Sequence, residues 1–311
     1  VYCPHTIFRD VWVSRHMTLT TFEKLLPAIK QAHLVHLQGW GEPLLNPYLF
    51  DMIAMAKQAG AHVGITTNGM LLGGEIIHRL VSSGLDIVAI SLAGSAILND
   101  RLREGTKYDD VLKGIQALER EKKRLDSSQP AVHIAYLLLR SAMDDLRRLP
   151  TDLEGIGVDQ IVVSTLDFAI APELRDEGVV PRDSSEFSGW LGQLEEVKSD
   201  ATMRGMELHY YLVSPSPRRH GCVENAARSL FVSADGTVSP CVFTNLPVEP
   251  VPTASPRSPM LYTRVTFGNV NSQPLAKIWS RPDYVLFRRS FQNGSLMSPC
   301  KNCYKMFINE G

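Results

Sequence analysis

Five cysteines carry the first chemical signal in this chain of 311 residues. Cys222, Cys241 and the pair in Cys300-Lys301-Asn302-Cys303 lie in its last third, and Cys3 stands alone near its start. Four thiolates, two of them spaced CxxC, suit tetrahedral zinc or a cubane iron–sulfur cluster, and a CxxC pair taken alone also occurs at redox sites. The set is too small and too clustered for the disulfide framework of a secreted scaffold. Cys3 by itself reads as a buried thiol of no particular role. A second signal sits at the ends of short apolar runs. Gln38-Gly39-Trp40-Gly41-Glu42-Pro43 offers glycines that let backbone approach a ligand, then a glutamate and a proline that restrict the turn. From that loop alone, an ordinary strand-to-helix turn would look the same. Ile65-Thr66-Thr67-Asn68-Gly69 and Ile90-Ser91-Leu92-Ala93-Gly94 repeat the arrangement with hydroxyls, an amide and glycines. Three such ends in succession argue for one shared ligand at the C-terminal edge of a sheet, where barrel enzymes assemble their sites.

The elements that must position those ends follow from periodicity. Residues 34–38, 62–66, 86–91, 131–138 and 160–164 are short, aliphatic or β-branched runs that predict strands. Between them, 47–59, 74–82, 108–125 and 143–154 carry the helical period. Strand-to-strand connections of about thirty residues fit βαβ units. The fold class is therefore α/β, with a parallel sheet and helices on its outer face, built as a barrel, a partial barrel or an open doubly wound sheet. Beyond residue 165 the texture changes. Residues 186–198 predict a helix, 207–212 a further strand, and the Pro-, Ser- and Arg-rich 214–220 a linker. The runs 229–233 and 237–242 flank Ala234-Asp235-Gly236, a strong hairpin signal. Pro247, Pro250, Pro252, Pro256 and Pro259 make 246–260 an extended loop rather than packed structure.

With 32 basic against 33 acidic residues the formal charge is −1, without the positive footprint that nucleic-acid binding needs. No run of about 18 apolar residues is present to span a bilayer. A composition 44% hydrophobic, at this length, can bury a large core and excludes disorder as the main state. The mixed-sign Glu119-Arg120-Glu121-Lys122-Lys123-Arg124 reads as a solvated helix face, and the methionines as core filler. The histidines are scattered; only His5, with Asp10, is close enough to Cys3 in sequence to face a site there. The chain opens on Val1-Tyr2-Cys3-Pro4-His5, so its natural start is expected upstream, and a leader is neither visible nor excluded.

Taken together, Cys3, Gly41-Glu42-Pro43, Thr67-Asn68-Gly69 and Ser91 resemble the radical S-adenosylmethionine (SAM) superfamily. The resemblance implies a partial (β/α)6 TIM-like barrel over residues 1–205, lacking its first strand. In that family three thiolates of a CxxxCxxC segment hold a [4Fe–4S] cluster whose fourth iron takes the amino and carboxylate groups of SAM. On this reading Cys3 is the last of the triplet, its two partners lie upstream of Val1, and Tyr2 sits near the adenine. Gly41, Glu42 and Pro43 match the GGEP element, whose backbone receives the SAM amino group; Trp40 replaces its first glycine, and Gly39 keeps the loop glycine-rich. Ser91 matches a position that contacts the ribose or carboxylate, although Ala93 stands where many relatives have aspartate. Thr67 and Asn68 match the turn beside the methionyl group. Arg103 is the candidate for pairing the SAM carboxylate, with a surface ion pair as the alternative and Arg140 as a second candidate.

Around the C-terminal cysteines, Gly236, Phe267-Gly268-Asn269-Val270 and Leu275-Ala276-Lys277-Ile278-Trp279 resemble the SPASM/twitch extensions of the same family. This implies a small α+β domain over 215–311 with one auxiliary [4Fe–4S] cluster on Cys222, Cys241, Cys300 and Cys303, structural zinc being the alternative. The implied activity is reductive cleavage of SAM to methionine and a 5′-deoxyadenosyl radical, which takes a hydrogen from a peptide, protein or cofactor-precursor substrate. An electron donor such as ferredoxin or flavodoxin and a cytoplasmic location go with it. With four cysteines present, the auxiliary cluster is expected to transfer electrons rather than ligate substrate. Residues 4–10 and 241–247 look most similar to proteins that mature a tungsten- or molybdenum-type oxidoreductase cofactor. A reading from another class is a non-catalytic barrel-like metal-binding or electron-transfer protein with a C-terminal zinc or iron–sulfur site on the same four cysteines.

Overall fold

Strands and helices alternate from Leu34 onward in the computed structural model, which describes residues 2–166, 172–213, 222–246, 251–253, 260–262, 264–298, 300–306 and 308–310. Strands β1 (Leu34–Leu37), β2 (His62–Thr67), β3 (Ile87–Leu92), β4 (Ala131–Leu138), β5 (Gln160–Thr165) and β6 (Glu207–Val213) pair in that order, all parallel. The expected α/β class is the one seen, as a partial TIM-like barrel; the run after residue 206, read as a further strand, is the sixth member of the sheet. Smaller strands follow: β7 (Phe231–Val232), β8 (Thr237–Ser239), β9 (Val251–Thr253), β10 (Met260–Tyr262), β11 (Gly268–Asn269) and β12 (Ile308–Glu310). β7, β8 and β11 form an antiparallel sheet around the predicted hairpin, and β12 returns to the free edge of β6.

The two faces of the main sheet differ. Val63, Ile65, Val88, Ile90, Val132, Ile134, Ile161, Val163, Leu208 and Tyr210 alternate onto one face and are buried. Four helices cover it: Leu49–Gln58 through Met52 and Ile53, Gly74–Ser82 through Ile77 and Leu80, Tyr108–Arg124 through Val111, Ile115 and Leu118, and Ser184–Met203 through Leu194 and Val197. Each aliphatic side chain buried there contributes roughly 1.5–3 kcal/mol. The opposite face carries Gly64, Thr66, Ala89, Ser91, His133, Ala135 and Ser164 together with the aliphatic Ile87, Leu137 and Val162, so it is mixed, with more small and polar residues than the first, and mostly half-buried. A parallel sheet covered on both faces would be aliphatic on both, so this is the open inner wall of the partial barrel. At the N-terminal edge, Asp86 accepts the Val63 N–H at 2.7 Å and Asp159 accepts the Val132 N–H at 2.7 Å. Each aspartate, set just before its own strand, ties the neighbouring strand in register.

Three expected elements differ, each around proline. Residues 143–154 form a 3-10 turn, Asp145–Arg148, and then a separate helix, Leu149–Leu153, because Pro150 is tolerated only in a first helical turn. The strand expected over 237–242 ends at Ser239, since Pro240 has no N–H to pair. Within the proline-rich loop, β9 pairs antiparallel with β10, with Pro252 opposite Leu261, so this stretch is extended and also paired. The linker expected at 214–220 lies outside the described residues.

Candidate active site

The loop after β1 is built around one carboxylate. Glu42 Oε1 accepts the Leu44 N–H at 3.0 Å and the Thr67 hydroxyl at 2.8 Å, while Oε2 accepts the Asn68 N–H at 2.8 Å. Thr67 Oγ1 in turn accepts the Gly69 N–H at 3.1 Å, and Asn68 Oδ1 accepts the Met70 N–H at 2.9 Å. The side chains of Glu42 and Thr67 are therefore spent on joining the ends of β1 and β2, while the Asn68 amide oxygen shapes its own turn. What this leaves for a ligand is backbone: Gly39 and Gly41 are exposed, and a Cβ on Gly41 would meet nothing within 4 Å. Pro43 opens the short 3-10 turn Pro43–Leu45 that carries the chain away. Trp40, between the two glycines, packs edge-on to Phe243 with ring centroids 5.7 Å apart, and its indole N–H is buried without a partner.

The end of β3 is clamped as tightly. Ala93 N–H donates to Asn99 Oδ1 at 3.1 Å, Gly94 N–H to the Tyr136 hydroxyl at 3.0 Å and Ser95 N–H to Asp145 at 3.2 Å. Gly94 has φ +73, and a Cβ there would lie 2.6 Å from Leu98, so glycine is required at this turn. Ser91 stands just before it on the half-buried inner face. The helix Ala96–Leu102 then delivers Arg103, whose Nη1 donates to the Tyr2 hydroxyl at 2.5 Å while its Nε is buried without a partner. Burial raises the Tyr2 phenol pKa, with the Arg103 guanidinium pulling against it. Cys3 is half-buried next door, as the residue before the helix Pro4–Ile7.

The fold thus brings Tyr2, Cys3 and Arg103 together, and separately joins Glu42, Thr67 and Asn68. Arg140 is engaged elsewhere: it donates to Glu186 at 2.5 Å and to the Val180 carbonyl at 2.7 Å, and lies over Trp190. His5 faces Ser14 at 3.1 Å and Asp10 is exposed. Sequence reasoning missed Tyr136 and the clamping role of Asn99. The available signal was a tyrosine on the aliphatic face of β4 and an asparagine inside a helix, both fully buried.

Below this end, the inner wall holds His36, whose Nε2 is 2.8 Å from Thr66 Oγ1. Burial lowers its pKa to about 4, with His133 adding to the effect. A Cβ on Gly64 would stand 2.6 Å from its ring, so this glycine makes room for the imidazole.

At the other site, Cys222, Cys241, Cys300 and Cys303 are all free thiols. Burial pushes Cys241 up to about 11, and Cys222 adds to the shift. Burial also raises Cys300, with Cys303, Cys241 and Cys222 each raising it further, so Cys300 lies within electrostatic reach of the other three. Among the described residues, no three ligating side chains close to the distance of a single shared ion.

A family model described as "Radical SAM superfamily" matches residues 1–159, and an "Iron-sulfur cluster-binding domain" model, SPASM, matches residues 222–304. The chain belongs to the radical SAM superfamily. It is accordingly an enzyme, which sets aside the non-catalytic alternative, and its cofactors are SAM and [4Fe–4S] clusters. The four cysteine thiols, the exposed glycine backbone after β1 and, at the other cluster of residues, Cys3 with the Tyr2–Arg103 pair supply donor types that suit these groups chemically. The chain is 25% identical to a "Tungsten-containing aldehyde ferredoxin oxidoreductase cofactor-modifying protein" of Pyrococcus furiosus over 87% of its own length and 73% of that protein's. It is also 25% identical to a "PqqA peptide cyclase" of Streptomyces rochei over 100% of its length and 80% of the relative's. SuiB of Streptococcus suis, solved with S-adenosylmethionine, shares the fold with a TM-score of 0.64 at 15% identity, over 95% of this chain and 66% of SuiB. Among the described residues, no helix of this radical SAM protein is long and apolar enough to cross a membrane.

Proposed function

We propose that this protein reductively cleaves SAM to abstract a hydrogen from a peptide, a protein side chain or a cofactor precursor held against the inner wall of the barrel. The observation that carries this reading is the half-buried face, with small and polar residues among its aliphatic ones, that ends at Ser91 and the Glu42-braced loop. That wall leaves room for a substrate where helices would otherwise pack. When bound, the reduced cluster and SAM supply the 5′-deoxyadenosyl radical.

The chain's own part is positioning and exclusion. Cys3 offers a thiolate to the SAM cluster, and Tyr2 lies beside it for the adenine. Gly39, Gly41, Glu42 and Pro43 present backbone to the SAM amino group, because the Glu42 carboxylate is already engaged. Thr67 and Asn68 shape the adjoining turn, and Ser91 offers a hydroxyl to the ribose or carboxylate. Arg103, with its Nε unpaired, offers N–H donors to the carboxylate, and the buried surroundings strengthen that pairing. Fixing SAM against the substrate and excluding water are what such a site contributes to the rate.

We read the barrel as running from residue 1 through β6, past the expected boundary at 205, and 215–311 as the auxiliary unit, whose β12 returns to the edge of β6, with Cys222, Cys241, Cys300 and Cys303 holding one [4Fe–4S] cluster. All four ligands being protein-supplied favours electron transfer there over substrate ligation. A ferredoxin or flavodoxin as donor and a cytoplasmic location follow from the need for low-potential reductant. The names of the relatives, a cofactor-modifying protein and a peptide cyclase, support both substrate classes.

Anaerobic incubation of reconstituted enzyme with SAM and reductant should yield 5′-deoxyadenosine. Deuterium should appear in it when a deuterated peptide or cofactor precursor is the true substrate. Absence of reductant-dependent 5′-deoxyadenosine would overturn the reading.

A further inference from the structure

A cavity of about 480 Å³ in the C-terminal region is lined by Ala227, Arg228, Val285, Arg288, Arg289 and Gln292. Three of these are arginines and none is a carboxylate, on a chain whose formal charge is −1. Arg228 and Arg289 are exposed. Arg288 lies over the Trp279 ring at 3.7 Å and the Tyr284 ring at 4.6 Å, and its Nη1 is buried without a hydrogen-bond partner. Guanidiniums gathered in one groove, with no carboxylate in its lining, make a local positive field that the net charge conceals.

Both walls of the groove lead to the cysteine site. Arg228 closes a tight turn that starts at Cys222: Asn225 N–H donates to the Cys222 carbonyl at 2.8 Å, and Arg228 N–H to the Asn225 carbonyl at 2.7 Å. The other wall is the helix Pro282–Asn293, whose buried Tyr284 stacks on Phe267 with centroids 4.0 Å apart and planes 7° from parallel. Phe267 N–H donates to the Val238 carbonyl at 2.9 Å, in the strand that runs on to Cys241. One aromatic layer, Tyr284 on Phe267, therefore separates Arg288 from the segment that bears Cys241.

We propose that this arginine groove is the docking surface for a small acidic electron-carrier protein that reduces the auxiliary cluster. The reduced carrier loses one electron and the oxidised cluster gains it, with no bond made or broken. Exposed charges of this kind steer an oppositely charged partner and set its orientation, and electron carriers bind through small, transient interfaces. A small oxyanion would use the guanidiniums equally well, but it would make no use of the path through Tyr284 and Phe267 to Cys241. The proposal rests on the reading of the four cysteines as a cluster site.

The test is a titration of the iron-loaded protein with an acidic ferredoxin at low and at raised salt, together with absorbance-monitored cluster reduction by that ferredoxin and by dithionite. Wild-type binding should weaken as salt rises. R228E/R289E should bind the carrier roughly tenfold less tightly, with reduction by carrier slowed and reduction by dithionite unchanged. R228K/R289K, which keeps the charge, should retain most of the affinity. Equal affinity for wild type and the charge-reversed variant overturns the docking surface. So does a free acidic peptide that occupies the groove while carrier reduction proceeds unaltered. A wild-type protein that never takes up iron at the four cysteines would instead sink the cluster reading on which the proposal stands.

Discussion

Two charged side chains do opposite work at the C-terminal strand ends of the barrel. The Glu42 carboxylate is turned inward, accepting from Leu44, Thr67 and Asn68, whereas the Arg103 guanidinium keeps its Nε unpaired beside Tyr2. Replacing Glu42 with Gln puts a donor where an acceptor is needed. It should destabilise the fold by about 1–3 kcal/mol, as read by denaturant unfolding, and weaken SAM binding with it. Arg103→Ala is expected to leave unfolding almost unaltered and to raise the SAM dissociation constant roughly ten- to hundredfold, the range for lost hydrogen bonds to a charged group. Calorimetry on the two variants separates the roles: unchanged SAM affinity in Arg103→Ala would remove it from the site. The residue types and spacing disclosed both positions. They did not disclose that the glutamate is a brace, because its partners come from a strand end 25 residues further on.

At the level of the element, the inner wall depends on a glycine in one strand facing a histidine in the next. His36 and Gly64 are register partners, and a Cβ on Gly64 would meet the imidazole at 2.6 Å. Gly64→Ala should cost about 1–3 kcal/mol through overpacking, and His36→Ala in the same chain should recover part of that. Additive losses in a thermodynamic cycle would exclude the contact. The same histidine bears on pH. Its folded pKa, about 4, lies below its unfolded value near 6.5, so between the two the unfolded chain binds the extra proton. Stability is full above about pH 6.5 and falls as pH drops toward about 4. His36→Gln should flatten that slope in unfolding curves taken across the window. Alternation in the strands announced which residues share a face. It did not say which face stays open, since that depends on where the helices pack.

For the molecule as a whole, two sites are held in one chain by contacts distant in sequence. Trp40, in the loop after β1, packs on Phe243, two residues from Cys241, and β12 joins the far end of the chain to the barrel sheet. In the full-length protein loaded with both clusters, C300S/C303S should lower iron from about eight to about four per chain, leaving the SAM cluster in place. Zinc appearing with about four irons in the unmodified protein would overturn the auxiliary-cluster assignment. Residue order alone determined the α/β class, the polar strand ends and the gathering of four cysteines in the last third of the chain, because periodicity, glycine turns and CxxC spacing are local properties. Where prolines interrupt or join an element came only with the fold, since Pro150 and Pro252 are tolerated at positions set by neighbouring strands and turns. Tertiary structure alone decided that Arg103 meets Tyr2 across 101 positions, that Asn99 and Tyr136 hold the third strand end, and that three arginines gather in one groove. The physical reason is the same in each case: a hydrogen bond or a charge acts over a few ångströms in space, and the separation of its partners along the chain carries no trace of that distance.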